Sequence, residues 1–237
     1  MRLPISIIIP TFNEAKYLPH LLQSIQNQTQ LPKEIIVADA YSIDETPKIA
    51  KQYGATLING GLPAIARNKG AKDAKSPILL FLDADVILPP SFLEETFIEM
   101  QKRGLDITSC FISPRSNLKL DKFLHQFVNY YMRITQKFHP HIPGFCIFVK
   151  KHLHQAIGGF DESLFLAEDH DYVRRARKLG KFSYLKSYQI PVSVRRLSED
   201  GRVKIALKYI AIELHLIFLG QVHKKLFSYN FGNHLKP

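Results

Sequence analysis

Short, wholly apolar runs separated by amphipathic stretches set the rhythm of the first half of the chain. ISIIIP (5–10) is a β-branched run ended by proline. Asn13 stands where it can cap a helix whose Leu18, Leu21, Leu22 and Ile25 share one face. EIIVAD (34–39) reads as a second strand, after which Asp44 can cap a short helix that stops at Gly54. ATLIN (55–59) is a third strand, PAIARNKGAKDAK (63–75) a helix of small residues, and PILLFLD (77–83) a fourth strand. Continuous apolar strands between helices predict an α/β fold: a Rossmann-like, mainly parallel sheet with helices on both faces.

The second half is less regular. DITSCFIS (106–113) reads as one further strand, and LDKFLHQFVNYYMRITQKF (120–138) as an amphipathic helix rich in aromatics. GFCIFVK (144–150) is a strand, KKHLHQAIG (150–158) a short helix and AEDHDYVRRARKLG (167–180) another helix. FSYLK (182–186) and PVSVRR (191–196) fit short strands, and a last long helix covers about 201 to 220. The simplest organisation is one domain over 1–200, with an amphipathic helix and tail over 201–237.

Sheets of this kind bind ligands beyond the carboxyl ends of their strands. Polar residues gather there: Thr11, Asn13 and Glu14 after the first strand, Asp39 after the second, Asp83 and Asp85 after the fourth. Two acids at a strand end usually cap the next helix or sit in solvent. Here five apolar residues precede them, which places the pair at the mouth of a core. Like charges at close range call for a cation, and a hard divalent ion with oxygen ligands is the natural one. In extended backbone, side chains i and i+2 point the same way, so Asp83 and Asp85 are expected to address one ligand.

Composition changes the picture in one respect. Hydrophobic residues make up 46% and charged residues 22%, as in ordinary globular proteins, but the net charge is +11. That field favours an anionic partner: a nucleotide, a nucleic acid or an acidic membrane surface. Cys110 and Cys146 lie in apolar runs and read as buried thiols of a reducing compartment, without zinc-like spacing. The first apolar run is too short for a signal peptide and is cut by Pro10, so a cytoplasmic protein is expected.

PTFNE, VADAYSIDET, GLPAIARNKGAKDAKSPILLFLDADVILPP, GGFDE and LAEDHDYVRRARKLGK, in this order over about residues 4–196, resemble the family 2 glycosyltransferases of the GT-A fold. SVRRLSEDGRVKIALKYIAI is similar to the SxRR segment and amphipathic helix of short bacterial members. The resemblance implies an inverting transferase that takes a sugar from a nucleotide-diphosphate donor, a UDP-sugar ahead of a GDP-sugar, to an acceptor hydroxyl. It implies that Pro10, Thr11, Glu14, Asp39, Arg67, Asp83, Ala84, Arg195 and Arg196 bind the nucleotide sugar. Asp85 would ligate Mn²⁺ or Mg²⁺ as cofactor, and Asp169, beside Glu168, would be the general base. Many relatives offer a histidine near the SxRR segment as a further diphosphate or metal contact; this chain has arginines there.

Each of these has a plainer reading. Acids opening AEDHD suit the first turn of any helix, favoured by its dipole, and Asp171 is expected to be structural or solvent-facing. Arg67 alone would pass for a surface arginine, but Asn68 and Gly70 beside it suggest a tight approach to the rim. Gly158 to Asp161 reads as a turn; the resemblance puts that turn beside the acceptor site, which would give Asp161 a secondary role. His139 and His141, on either side of Pro140, read as a loop, which the resemblance would place near the acceptor. Helix 201–220 either packs on the sheet or lies in a membrane interface, its lysines reaching for anionic lipid. The second option implies a peripheral protein at the inner face of the cell membrane, with a lipid-linked or envelope glycan as acceptor.

Two other classes compete. A sugar nucleotidyltransferase needs a glycine-rich basic loop after the first strand, and PTFNEAKYL has no glycine. A nucleic-acid-binding module fits the charge, but carboxylates at three strand ends would repel phosphates, so no nucleic-acid partner is expected.

Overall fold

The computed structural model describes residues 2–164, 166–192, 194, 197, 201–218, 220 and 221. Its first half alternates as the pattern predicts. The order is β1 (Leu3–Thr11), α1 (Leu18–Gln26), β2 (Pro32–Asp39), α2 (Thr46–Gln52), β3 (Thr56–Asn59), α3 (Pro63–Asp73), β4 (Ile78–Leu82) and α4 (Phe92–Lys102). Then come β5 (Ile107–Thr108), β6 (Phe111–Pro114), α5 (Lys119–Thr135), β7 (Cys146–Lys150), α6 (Lys151–Ala156), α7 (Glu168–Ala176), β8 (Gln189–Val192) and α8 (Arg202–Phe218).

The main sheet runs β3-β2-β1-β4-β7-β5. β1 to β4 are parallel; β7 joins β4 antiparallel, and β5 joins β7 antiparallel. Strand order therefore reverses between β1 and β4, where such sheets open a crevice at their carboxyl ends. β1 and β4 read as unbroken apolar runs because both faces are covered. Ile5, Ile7 and Ile9 join Leu80 and Leu82 in a core with Leu18, Leu21, Phe92 and Leu93. Ile8, Leu79 and Phe81 face the other way, onto Ala64, Ala71, Tyr172 and Val173. Successive residues of one strand thus feed two cores. The second core needs a small residue on α3: a Cβ at Gly70 would overlap Ile8 Cγ2.

Three expectations about local structure are corrected. The segment 106–113 is two strands in two sheets, β5 in the main sheet and β6 paired in parallel with β8. The break is at Ser109, whose hydroxyl donates to the Cys146 carbonyl at 2.7 Å and whose own carbonyl accepts from Leu185 N–H at 2.9 Å. FSYLK contributes only an isolated bridge, Phe182 to Ile107. Asn13 caps no helix: it adopts a left-handed φ of 55°, and its Oδ1 accepts from the Ile43 amide at 3.0 Å. Both cysteines are buried free thiols.

α5 turns an unusual side to solvent. Asp121, His125 and Met132 are buried, whereas Phe123, Phe127, Tyr130 and Ile134 are exposed. α8 buries Ile205, Ile212 and Leu216 and exposes Val203, Leu207, Ile210 and Leu214. Among the described residues, two pairs tie the helices together: Arg202 donates to both oxygens of Asp121, from Nε at 2.7 Å and from Nη2 at 3.1 Å, and the Tyr131 hydroxyl donates to Glu213 Oε1 at 3.0 Å. Among the described residues, no helix is long and apolar enough to cross a membrane.

Candidate active site

The carboxyl ends of β1, β2 and β4 share one rim, as the parallel register requires; Thr11 pairs with Asp39 in the β1–β2 ladder. The Thr11 hydroxyl donates to Asp39 Oδ1 at 2.9 Å. Ser42 completes the arrangement, its hydroxyl donating to Asp39 Oδ1 at 2.6 Å and its amide to Oδ2 at 2.8 Å. Asp39 is thereby fixed in one orientation, 7% exposed, with acceptor capacity left on Oδ2. Glu14 follows on the same rim, its amide donating to Thr46 Oγ1 at 2.8 Å.

α3 crosses this rim and carries Arg67 into it. The guanidinium is 3% exposed and donates to Asp83 Oδ1 at 3.1 Å, Glu168 Oε1 at 2.7 Å and the Gly144 carbonyl at 3.3 Å. It lies over the Phe160 ring, 5.3 Å from its centroid. Asn68 secures that ring: its side chain accepts from the Phe160 amide at 2.8 Å and donates to the Phe160 carbonyl at 2.9 Å. Gly158 and Gly159 turn the chain there with φ of 73° and 75°. Burial opposes the charge on Arg67, but Asp83, Glu168 and Asp169 together hold it firmly protonated.

Asp169 opens α7 behind a left-handed Ala167, φ 61°. Its Oδ1 accepts from the His170 amide at 2.8 Å. Burial raises its pKa to about 6, with Asp83 adding to the rise while Arg67 and the amides of His170 and Gly144 oppose it. Gly144 sits between the two charges: a Cβ there would lie 3.0 Å from Asp169 Oδ2 and 3.1 Å from Arg67 Nη2. Asp171 is 4% exposed and pairs with Arg175 at 2.6 Å, a structural contact.

Asp83-Ala84-Asp85 is not extended. The chain turns after Leu82, with the Val86 amide donating to the Asp83 carbonyl at 3.3 Å. The extended backbone expected there is corrected to a turn, and the two aspartates meet different near neighbours. Asp83 engages Arg67, and 44% of its side chain stays exposed. Asp85 lines a cleft with Lys16, Tyr17, His20, Ile87 and Arg115, and Ala84 is buried beneath. An oxygen donor beside two basic side chains fits a hard divalent ion shared with diphosphate oxygens.

A family model described as Glycosyl transferase family 2 matches residues 6–157, which include this rim except Gly158 to Phe160 and α7. The chain belongs to the family 2 glycosyltransferases. It is 26% identical over 190 residues to the glycosyltransferase AglE of Haloferax volcanii, covering 74% of this chain and 62% of that one. An uncharacterized glycosyltransferase of Rickettsia prowazekii is 31% identical over 185 residues, covering 70% of this chain and 56% of its own. The chain spans less than two thirds of the length of these relatives. Among solved structures, Staphylococcus aureus TarS 1-349 in complex with UDP superposes with a TM-score of 0.65 at 22% identity, covering 82% of this chain and 61% of that one. The mannosyltransferase PcManGT of Pyrobaculum calidifontis, in complex with GDP-Man and Mn2+, gives 0.66 at 22% identity, covering 82% and 58%. The fold is GT-A.

In this family 2 chain the rim thus joins Thr11 to Asp39, and Arg67 to Asp83, Glu168 and Asp169. Pro10 lies within β1, paired with Ala38. Arg195 and Arg196 lie outside the described residues. Ser42, Gly144, Lys16 and Arg115 escaped the sequence reading. Ser42 alone left a signal, as a hydroxyl three residues beyond a strand-end acid, where side chains commonly bond back to the turn.

Proposed function

We propose that the chain is an inverting, metal-dependent glycosyltransferase that moves a sugar from a nucleotide-diphosphate donor to an acceptor hydroxyl. One observation carries the reading: Arg67 bridges Asp83, at the end of β4, to Glu168 at the start of α7, and its charge acts on the neighbouring Asp169. The donor-side carboxylate and the candidate base are thereby fixed relative to each other.

Thr11, Glu14 and Asp39 bind the nucleoside, the free lone pair of Asp39 Oδ2 accepting from the base or ribose. Pro10 and Ala84 lend backbone to the same pocket, and Asp83 holds the ribose or donor sugar. Asp85 would hold Mn²⁺ or Mg²⁺, which when bound neutralises the departing diphosphate. Lys16 and Arg115, on the Asp85 cleft, reinforce that charge, and Arg195 and Arg196 are assigned to the diphosphate by their sequence position. Asp169 takes the acceptor proton; a carboxyl near pKa 6 is mostly ionised at neutral pH yet still basic enough to accept. The acceptor oxygen bonds to the anomeric carbon from the face opposite the diphosphate. The carbon–oxygen bond to the diphosphate breaks, its electron pair leaves with the nucleotide, and the configuration inverts.

UDP is favoured, with GDP as the alternative; the similar solved structures include TarS with UDP and PcManGT with GDP-Man. Residues 1–200 form the transfer domain, and 201–237 an appended element. The outward apolar rows of α5 and α8, flanked by Lys119, Lys122, Lys204 and Lys208, suit an anionic membrane surface. We therefore place the enzyme peripherally at the inner face of the membrane, with a lipid-linked or envelope acceptor.

The test is release of nucleoside diphosphate from a panel of UDP- and GDP-sugars with Mn²⁺ and a membrane extract as acceptor, followed by the anomeric configuration of the product. Release from one donor with inversion supports the reading. No release from any donor, or retained configuration, contradicts it.

A further inference from the structure

The sequence reading left His139 and His141 as a loop near the acceptor. The structure gives them different neighbours. His141 Nε2 lies 3.1 Å from Glu213 Oε1, and His139 Nε2 lies 3.6 Å from the same oxygen. These three ligand atoms fall within 4.8 Å of one another. His141 is buried, 5% exposed, although it stands in a loop. Its other ring nitrogen, Nδ1, is 3.2 Å from His170 Nδ1, and the Tyr131 hydroxyl donates to Glu213 Oε1 at 3.0 Å.

We propose that His139, His141 and Glu213 form a second metal site, selective for Zn²⁺ or a similar imidazole-binding transition ion. The site shares no residue with the Asp83–Asp85 pair. Three features carry it. The donor set is two imidazoles and a carboxylate, which suits zinc and disfavours Mg²⁺ or Ca²⁺. Two of the three spacings suit a common ion: ligands about 2.0–2.1 Å from a tetrahedral metal stand about 3.4 Å apart, close to the 3.1 and 3.6 Å measured to Glu213, and the two imidazoles, within 4.8 Å, would draw together on binding. The surroundings are those of an oriented ligand. His170 Nδ1, 3.2 Å from His141 Nδ1, can accept from that nitrogen once a metal takes Nε2 and displaces its contact with Glu213, and Tyr131 holds the carboxylate, the outer contacts that metal-binding imidazoles and carboxylates commonly have.

The site's position gives it a structural role. Its ligands come from the 139–141 loop and from α8, and His170 stands on α7 directly after Asp169. A bound ion would fasten α8 to the loop and, through His170, to the end of α7 that carries the candidate base. This inference does not depend on the proposed donor or acceptor.

The test uses the full chain, stripped with chelator and titrated with Zn²⁺ by calorimetry, with thermal unfolding recorded with and without the ion. Wild type, Asp85→Asn, His139→Ala and Glu213→Gln are compared; the Gln variant keeps an acceptor for Tyr131, and metal-free melting shows that each variant folds. Expected are one zinc per chain in wild type and Asp85→Asn, with a raised Tm. At least tenfold weaker binding and loss of the Tm shift are expected in His139→Ala and Glu213→Gln. The proposal is overturned if wild type binds no zinc, if Asp85→Asn abolishes binding, or if binding is equal in all four proteins.

Discussion

Arg67 Nη1 donates to Glu168 Oε1 at 2.7 Å across 101 residues of chain. The bond closes the gap between α3 and α7, and the second amino group of the same guanidinium reaches Asp83. Removing the charge leaves half-buried Glu168 beside Asp83 and Asp169 without its cation. Arg67→Met is expected to cost about 3 kcal/mol, the low end for breaking a buried pair, since Asp83 keeps 44% of its side chain in solvent. Chemical denaturation at pH 7.5 measures it; a change below about 0.5 kcal/mol would show that Arg67 is not holding the rim.

Asp169 makes a pH prediction. Its folded pKa, about 6, lies above the ordinary 3.8. The folded state therefore holds the proton more tightly, and ionised Asp169 is a cost to stability. That cost is fully present above about pH 6 and fades as pH falls toward 3.8. Asp169→Asn should melt no lower than wild type at pH 7.5, with any advantage shrinking by pH 4.5. Its kcat should fall about 10²–10⁴-fold, and the acid limb of kcat/KM near pH 6 should vanish. Full activity in the variant would remove Asp169 from the chemistry.

Gly144 has no room for a side chain between Asp169 and Arg67. In Gly144→Ala the carboxylate must give way by a few tenths of an ångström. We expect kcat to drop about tenfold, since catalysis is sensitive to small misplacement, with donor KM and Tm little changed. A drop in Tm with unchanged kcat would mean that the fold, and not the carboxylate, absorbs the methyl.

The outward rows of α5 and α8 predict surface binding. The chain should float with phosphatidylglycerol vesicles and not with phosphatidylcholine, and 0.5 M salt should weaken the association by screening. Phe127→Glu combined with Ile210→Glu should abolish flotation and leave the circular dichroism spectrum intact. Flotation unaffected by the two glutamates would place the membrane contact elsewhere.

How much of this could be read from the chain follows from what each feature depends on. Periodicity found β1 to β4 and the ends that form the rim; in β1 and β4, burial on both faces writes itself locally as an unbroken apolar run. It merged β5 with β6, since both are apolar and the break at Ser109 is made by partners at Cys146 and Leu185. Asp39, Asp83, Asp85 and Asp169 were legible as strand-end or helix-start acids. The pairing of Arg67 with Glu168 was not, because no local pattern records a contact between distant segments. The turn at Ala84 was likewise hidden: the sequence gives two acids at spacing two, and only the backbone decides that one meets Arg67 and the other the Lys16 cleft.

Asp85 carries the central claim, and calorimetric titration tests it most directly. Wild type and Asp85→Asn are titrated with UDP and with GDP, each with and without Mn²⁺. The account predicts that one nucleotide binds wild type only with the metal and that Asp85→Asn loses this binding while keeping the wild-type Tm. Nucleotide binding that ignores both the metal and Asp85, or no nucleotide binding at all, would contradict it.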